Sequence, residues 1–355
     1  MTCVRRSTPG PTAALAIGLG LIALGAQLAQ AQDSVAAVAS DQSTDRTARL
    51  IAGAKKEGAL TVYSSLPNKE NRILVDAIQK KYGIKVSLWR ASSEDVLNRS
   101  VAERNGGRFD VDIMMGATSG IEPLHREQLL QEVKSPVLAD IVPQAIAPHR
   151  EWVDLYLNTI VQAYNTNQVK KEDLPKTYAD LADPRWKGRL TMEADDFDWF
   201  AEVVRGLGEE KGLALFRAIV AKNGISLRKG HTLLTNLTAA GEVPLALTVY
   251  GYSAEQTKRR GAPLDWFTLN PALARGTGIA LAKRAPHPHA AVLFYDYVLG
   301  EAQAVFAKRD FVTTNRKYPS EMGKRQFKII DSAYMLENAD KWQKLYKEIV
   351  VQAGR

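Results

Sequence analysis

Between Leu60 and Met115, apolar runs alternate with amphipathic stretches, and this alternation restricts the fold more than any other feature of the chain. Leu60-Thr61-Val62-Tyr63 reads as a buried strand ending at Ser64-Ser65. A helix follows from about Lys69 to Tyr82, with Ile73, Leu74, Ala77 and Ile78 on one face and Gly83 in the position of a C-terminal cap. Val86, Leu88 and Arg90 alternate with Ser87 and Trp89 as a second strand. Ser92-Ser93 with Glu94 and Asp95 opens another helix, because a hydroxyl cap and early acids satisfy the free amides and the helix dipole. That helix stops at Gly106-Gly107, and Val111 to Met115 forms a third strand leading into Gly116-Ala117-Thr118-Ser119. Strand–helix–strand–helix–strand forces parallel pairing through right-handed crossovers. Ligands of such sheets sit at the carboxyl ends of the strands, beside the amides that open the next helix. Two such ends are small and polar here, Ser64-Ser65 and Gly116-Ala117-Thr118, and they read equally well as helix caps and as ligand contacts.

A second series of elements follows. Val153 to Tyr164 is a long alternating segment, and Arg189 to Met192 is a strand. Leu213, Phe216, Ile219 and Val220 mark a helix closed by Gly224, and Leu233, Leu234 and Leu237 mark another closed by Gly241. Val243 to Tyr250 is a strongly apolar strand, and Thr277 to Ala282 is a strand before the proline-bounded helix His289 to Leu299. No fixed-period repeat appears.

The N-terminus carries the marks of a secretory signal. Arg5 and Arg6 precede an unbroken run of Ala, Leu, Ile and Gly from Ala13 to Ala26, and Ala29-Gln30-Ala31 has the small-x-small form of a cleavage site. The run is shorter than the roughly 20 residues a membrane-crossing helix needs. Cleavage after Ala31 is expected to leave an exported, periplasmic chain, with Asp33 to Asp45 a disordered lead-in and residues 32–57 completed by a short helix. It would also remove Cys3, the one cysteine, which excludes disulfides, thiolate nucleophiles and zinc–cysteine sites. The net charge of +8 is spread without blocks of like sign, which points to solubility and away from nucleic acid.

Several segments together resemble one family. Val62-Tyr63-Ser64-Ser65, Tyr164-Asn165-Thr166, Asp183-Pro184-Arg185-Trp186-Lys187-Gly188, Ala240-Gly241-Glu242-Val243-Pro244 and Ala285-Pro286-His287-Pro288-His289-Ala290-Ala291 look like the ferric-iron-type group of periplasmic solute-binding proteins, receptors of ABC importers. The resemblance runs from about Gly58 to Phe311. It implies an α/β, two-lobed type 2 periplasmic-binding-protein fold, its lobes joined by two crossing strands and closing on one ligand. The expected crossings are the segments around Tyr156 to Tyr164 and Asp265 to Asn270. The expected division is residues 58–150 and 271–355, C-terminal helices included, for the first lobe, and 151–270 for the second. The implied partners are a small-molecule or ion ligand and an ABC permease in the inner membrane, with the receptor a monomer, not an enzyme, and without a cofactor.

Ferric receptors of this group present two adjacent tyrosines after the strand corresponding to Val243–Tyr250, because hard phenolate oxygens suit a hard trivalent cation. Here Gly251 separates Tyr250 from Tyr252. Where many members place a histidine this chain has Leu66-Pro67-Asn68, and where some place a carboxylate it has Ala117. The expected ligand is therefore an organic solute or oxyanion held by shape and hydrogen bonds, with Tyr250 and Tyr252 as the phenolates if it is ferric iron. The ligand-binding set is Ser64, Ser65, Gly116, Ala117 and Thr118 from the first lobe and Tyr156, Asp195, Tyr250 and Tyr252 opposite them.

Glu193, Asp195, Asp196 and Asp198 form the one concentrated acidic group; they read as helix caps or as a carboxylate facing the cleft. His287-Pro288-His289 reads as a helix entry, and His125, His149 and His231 stand alone in the sequence. The rival class, a secreted hydrolase on a two-lobed scaffold, needs a nucleophile, base and orienting partner, and the sequence contains no such set. A receptor that hands its ligand to a signalling partner shares every feature named here.

Overall fold

The computed structural model describes residues 35–352. The expected signal peptide, its cleavage site and Cys3 lie outside the described residues. The first half runs α1 (Arg46–Glu57), β1 (Ala59–Ser64), α2 (Asn68–Tyr82), β2 (Lys85–Arg90), α3 (Ser93–Asn105), β3 (Ile113–Ala117), α4 (Thr118–Arg126), β4 (Leu130–Gln131) and β5 (Trp152–Asn165). Then come β6 (Leu190–Glu193), α5 (Phe197–Leu207), α6 (Glu209–Asn223), β7 (Ser226–Arg228), α7 (His231–Ala240), β8 (Leu245–Tyr250), α8 (Gly251–Arg259), β9 (Leu264–Phe267) and β10 (Leu273–Ala282). The chain closes with α9 (Pro288–Leu299), α10 (Gln303–Ala307), α11 (Ser332–Glu337) and α12 (Ala339–Tyr346). No helix among the described residues is long and apolar enough to cross a membrane.

Local chemistry places the breaks. Gly58 and Gly83 end α1 and α2 in the left-handed region, at φ 69° and 73°, a conformation that costs glycine little. The Ser92 hydroxyl accepts the Asp95 amide and caps α3. The strands assemble in the order β2-β1-β3-β10-β5-β8-β6-β7. β1 pairs parallel with β2 and β3, and β6 pairs parallel with β7 and β8. β10 and β5 run antiparallel to each other through the middle.

Two apolar cores flank this centre. One contains Val62, Ile113, Val153, Ile279 and Phe294; the other contains Ile160, Trp186, Phe200, Leu245 and Leu273. Both β5 and β10 contribute to both cores. At roughly 3.3 Å per residue a strand as long as β5 extends some 45 Å, enough to serve two lobes.

Three expectations need correction. The second crossing is β10, Leu273–Ala282, whereas Asp265–Asn270 lies at β9, which pairs with Gln162–Asn165 inside the second lobe. β10 fits the crowded centre because Ala274, Gly276, Gly278 and Ala280 are small. The last helix packs on the second lobe rather than the first: Trp342 and Tyr346 of α12, with Ile349 and Val350 after it, join that core, and Phe200 stands edge-on to the Trp342 ring, whereas α9 and α10 stay in the first core through Phe294, Leu299 and Phe306. The apolar stripe of α12 finds its complement on α5, which sequence distance concealed. Finally, residues 35–40 of the lead-in are helical, and Val35 and Ala39 are buried in the first core.

Candidate functional site

The carboxyl ends of the strands face each other across the β5–β10 crossing. On the first lobe, Ser64 is fully buried: its hydroxyl donates to Asn71 Oδ1 at 2.8 Å and accepts the Leu66 amide at 3.1 Å. It closes the turn into α2 and has no hydroxyl hydrogen left for a ligand. Ser65 is partly buried, its hydroxyl accepting from Ser93 at 2.8 Å, while the Ser93 oxygen accepts the Ala117 amide at 3.2 Å. Gly116 makes this convergence fit, because a Cβ there would lie 2.5 Å from Ser65 Oγ. Ala117 and Thr118 do line a cavity. The Thr118 hydroxyl sits 2.7 Å from Ser332 Oγ on α11 and 3.3 Å from the Gly276 carbonyl.

The opposite wall is charged. Arg275 projects from the crossing strand β10, and its Nε donates to Asp198 Oδ2 at 2.8 Å and its Nη2 to Asp196 Oδ1 at 2.6 Å. Nη1 lies 3.3 Å from His231 Nε2 and 3.4 Å from the Tyr250 hydroxyl. The His231 ring stacks on Tyr250 at 3.9 Å, and its Nε2 is 3.2 Å from Asp196 Oδ1. Glu193 is spent on the backbone, accepting the amides of Asp195 and Gly230. These side chains come from the starts of α5 and α7 and the ends of β6 and β8, the places where free amides and strand ends converge. With Thr118, Ser119, Met335 and Gln343 they enclose about 490 Å³.

Burial alone would raise the Asp196 carboxyl, but the Arg275 guanidinium and His231 outweigh it and hold the group well below the usual carboxylate range. Burial pushes the Tyr250 phenol up, against the pull of Arg275. Burial and the neighbouring Tyr250 push Tyr252 up to about 12. Both phenols are therefore neutral donors near neutral pH.

The remaining expected residues divide. Asp195 sits at the exposed rim, 3.9 Å from Lys229. Tyr252 stands outside the cavity wall, its ring between Tyr250 at 5.9 Å and Phe311 at 4.6 Å. Tyr156 is core: its ring lies 4.3 Å from Phe311 and 5.0 Å from Phe306, so burial on the first lobe removes it from any ligand. Sequence reasoning missed Arg275, His231, Asp198 and Asp196 as a unit. Arg275 did leave a signal, as the one charge inside the otherwise small and apolar run Leu273–Ala282. His287 and His289 anchor the entry of α9, with Nδ1 atoms 2.9 Å from Asp112 and 2.7 Å from Glu57.

Two α/β lobes on crossing strands with a polar cleft between them define a binding protein of the type 2 periplasmic class. The chain belongs to the bacterial extracellular solute-binding protein family, whose profile matches residues 111–338. It is 26% identical over 272 residues to iron uptake protein A1 of Synechocystis sp., covering 71% of this chain and 74% of that protein. Its fold is shared by iron-bound HitA from Pseudomonas aeruginosa (TM-score 0.70, 21% identity, 82% of this chain and 99% of that one). It is shared equally by the periplasmic binding protein AfuA from Actinobacillus pleuropneumoniae with fructose-6-phosphate bound (TM-score 0.69, 20% identity, 83% and 99%). The resemblance to the ferric-iron-type group holds, and the shared fold accommodates unlike cargoes.

Proposed function

We propose that this protein is the periplasmic receptor of an ABC-type importer, exported by cleavage after Ala31, and that it binds one small organic solute or oxyanion between its lobes and presents it to a membrane permease. A ligand that touches both walls stabilises the closed arrangement by its differential affinity for it. Thr118 and Ser119 would hold it from one side and Tyr250, His231 and Arg275 from the other.

The observation that carries the ligand class is the Arg275 guanidinium, 3.4 Å from the Tyr250 hydroxyl and already paired with Asp196 and Asp198. A cation bound to Tyr250 would lie against it. The Asp196 and Asp198 carboxylates offset that repulsion, so the obstacle to such a cation is geometric: the Arg275 Nη1 already faces the Tyr250 hydroxyl. Turning Arg275 aside would strand a buried charge, at about 3–5 kcal/mol. Neutral phenols and a guanidinium instead suit carbonyl, hydroxyl or oxyanion oxygens.

Iron is the second reading, favoured by the name of the Synechocystis relative and by the proximity of Tyr250 and Tyr252. Native mass spectrometry with metal analysis of freshly purified protein separates the two. We expect a colourless protein carrying an organic or oxyanion adduct. A red protein with stoichiometric iron whose colour is lost in Tyr250→Phe would establish the ferric reading instead.

A further inference from the structure

Three chemistry-bearing side chains meet away from the cleft, at the far end of α4. Glu122 and His125 share a helical face at a spacing of three, and the turn before β5 brings His149 to them. Their potential ligand atoms all lie within 4.8 Å of one another. We propose that Glu122, His125 and His149 form a binding site for one divalent transition-metal ion of the zinc class, separate from the solute cleft.

The hydrogen bonds orient the donors for this. His149 Nδ1 accepts the Glu151 amide at 3.2 Å, which puts its proton on Nε2, 3.2 Å from Glu122 Oε2. A metal would replace that proton and bridge the same two atoms. His125 Nδ1 lies 2.7 Å from Glu151 Oε2, so this nitrogen carries the proton and the other keeps its lone pair. A carboxylate behind a histidine is the usual outer support of a metal-bound imidazole. Glu122 is buried, 2% exposed, yet its carboxylate is held on both oxygens: Arg126 Nε donates to Oε1 at 3.1 Å and Trp152 Nε1 to Oε2 at 3.0 Å. Arg126 turns its other end to Glu337 at 2.8 Å, which leaves Oε2 as the metal-facing oxygen. The rings of His125 and His149 stack nearly parallel at 3.5 Å, so their in-plane lone pairs do not converge as they stand and one ring must turn about its Cβ to share the ion. Two imidazoles and a carboxylate suit zinc, with a fourth position left to solvent. The three residues border an open cavity of about 1250 Å³, which supplies an entry path.

The test uses the mature protein after chelation, titrated with Zn²⁺ by equilibrium dialysis and with Co²⁺ by visible absorption. One equivalent should bind, and Co²⁺ should give the absorption of a low-coordinate nitrogen–oxygen site. His149→Ala and His125→Gln should each abolish stoichiometric binding, whereas Glu151→Gln should weaken it by about 10–100-fold as an outer partner does. His231→Ala, in the cleft, should leave it unchanged. Melting curves without metal establish that each variant is folded. Failure of the wild type to bind one equivalent overturns the proposal, and so does binding that survives His125→Gln with His149→Ala or that is lost in His231→Ala. None of these outcomes bears on the solute reading, which rests on the other wall.

Discussion

The two walls of the cleft are built on opposite principles. The first-lobe wall is neutral: the hydroxyls of Ser64, Ser65, Ser93 and Thr118 are bonded within the protein, and the groups that reach the cavity are short side chains and backbone. The second-lobe wall is ionic, with Arg275 held by Asp196 and Asp198 under a His231–Tyr250 stack. The first wall owes its shape to close packing. The second owes its shape to charge compensation, since none of its members is tolerable in a buried place without the others. The same ligand thus meets a preformed steric surface on one side and a coupled electrostatic unit on the other.

The largest expected effect falls on the ionic wall. Arg275→Met should destabilise the unliganded protein by about 3–5 kcal/mol in denaturant melts, because it removes the guanidinium that compensates the buried Asp196 and its neighbour Asp198. The pH dependence should also weaken. In the wild type, Asp196 is held below its unfolded value near 4, so it contributes stability above that pH that is lost as pH falls through the folded value. In the variant burial is opposed only by His231 and Thr248, so the folded value should rise and the stability that Asp196 contributes above about pH 4 should shrink. If the melts of the variant match the wild type from pH 3 to pH 7, the ionic account of this wall is wrong.

Steric perturbation of the neutral wall should cost less. Gly116→Ala would set a methyl 2.5 Å from Ser65 Oγ and 3.1 Å from Ser93 Oγ. The expected loss is about 1–3 kcal/mol, the scale of overpacking, without a change in pH dependence. A loss that varied with pH would show the two walls to be coupled.

Between the walls, Asp154 on β5 is buried with Oδ1 unpartnered beneath Gly276, and burial raises its carboxyl well above the ordinary range. Its raised folded value means that stability is greatest below about pH 4 and declines as pH rises toward that value. Asp154→Asn should therefore stabilise the protein near neutral pH, by about 1–3 kcal/mol as for other unsatisfied buried groups, and do little at pH 3. No gain at pH 7 would mean that the carboxyl is satisfied by solvent. Smallest is Thr118→Val, which removes the 2.7 Å contact with Ser332. It should cost about 1 kcal/mol and weaken solute binding more than stability; unchanged binding would take Thr118 out of the site.

Much of the first lobe was legible because parallel strand–helix units are local patterns. The turns at Gly83 and Ser92 and the small strand end at Gly116 all announce themselves within a few residues. Tyr250 was placed at the cleft by the family resemblance, which sets a tyrosine after that apolar strand. Asp196 and Asp198 read as caps, which they are by position, but their charge partner lies at Arg275, on a strand that begins and ends in different lobes. Tyr156 looked like a cleft aromatic because alternation alone does not say which face of β5 meets which lobe, and a register shift near Thr277 and Gly278 alters that pattern.

What the sequence by itself determined is therefore what short-range chemistry sets, namely α/β class, parallel strand–helix units and the ends of strands and helices, together with a resemblance to a family of solute-binding proteins. Only the tertiary structure decided which charges meet, that α12 covers the second lobe, and that His125 and His149 lie face to face. Those contacts join residues from 24 to 142 positions apart. Long-range contacts are selected by the free energy of burying and pairing groups in one shared volume, a quantity that no local window of sequence contains.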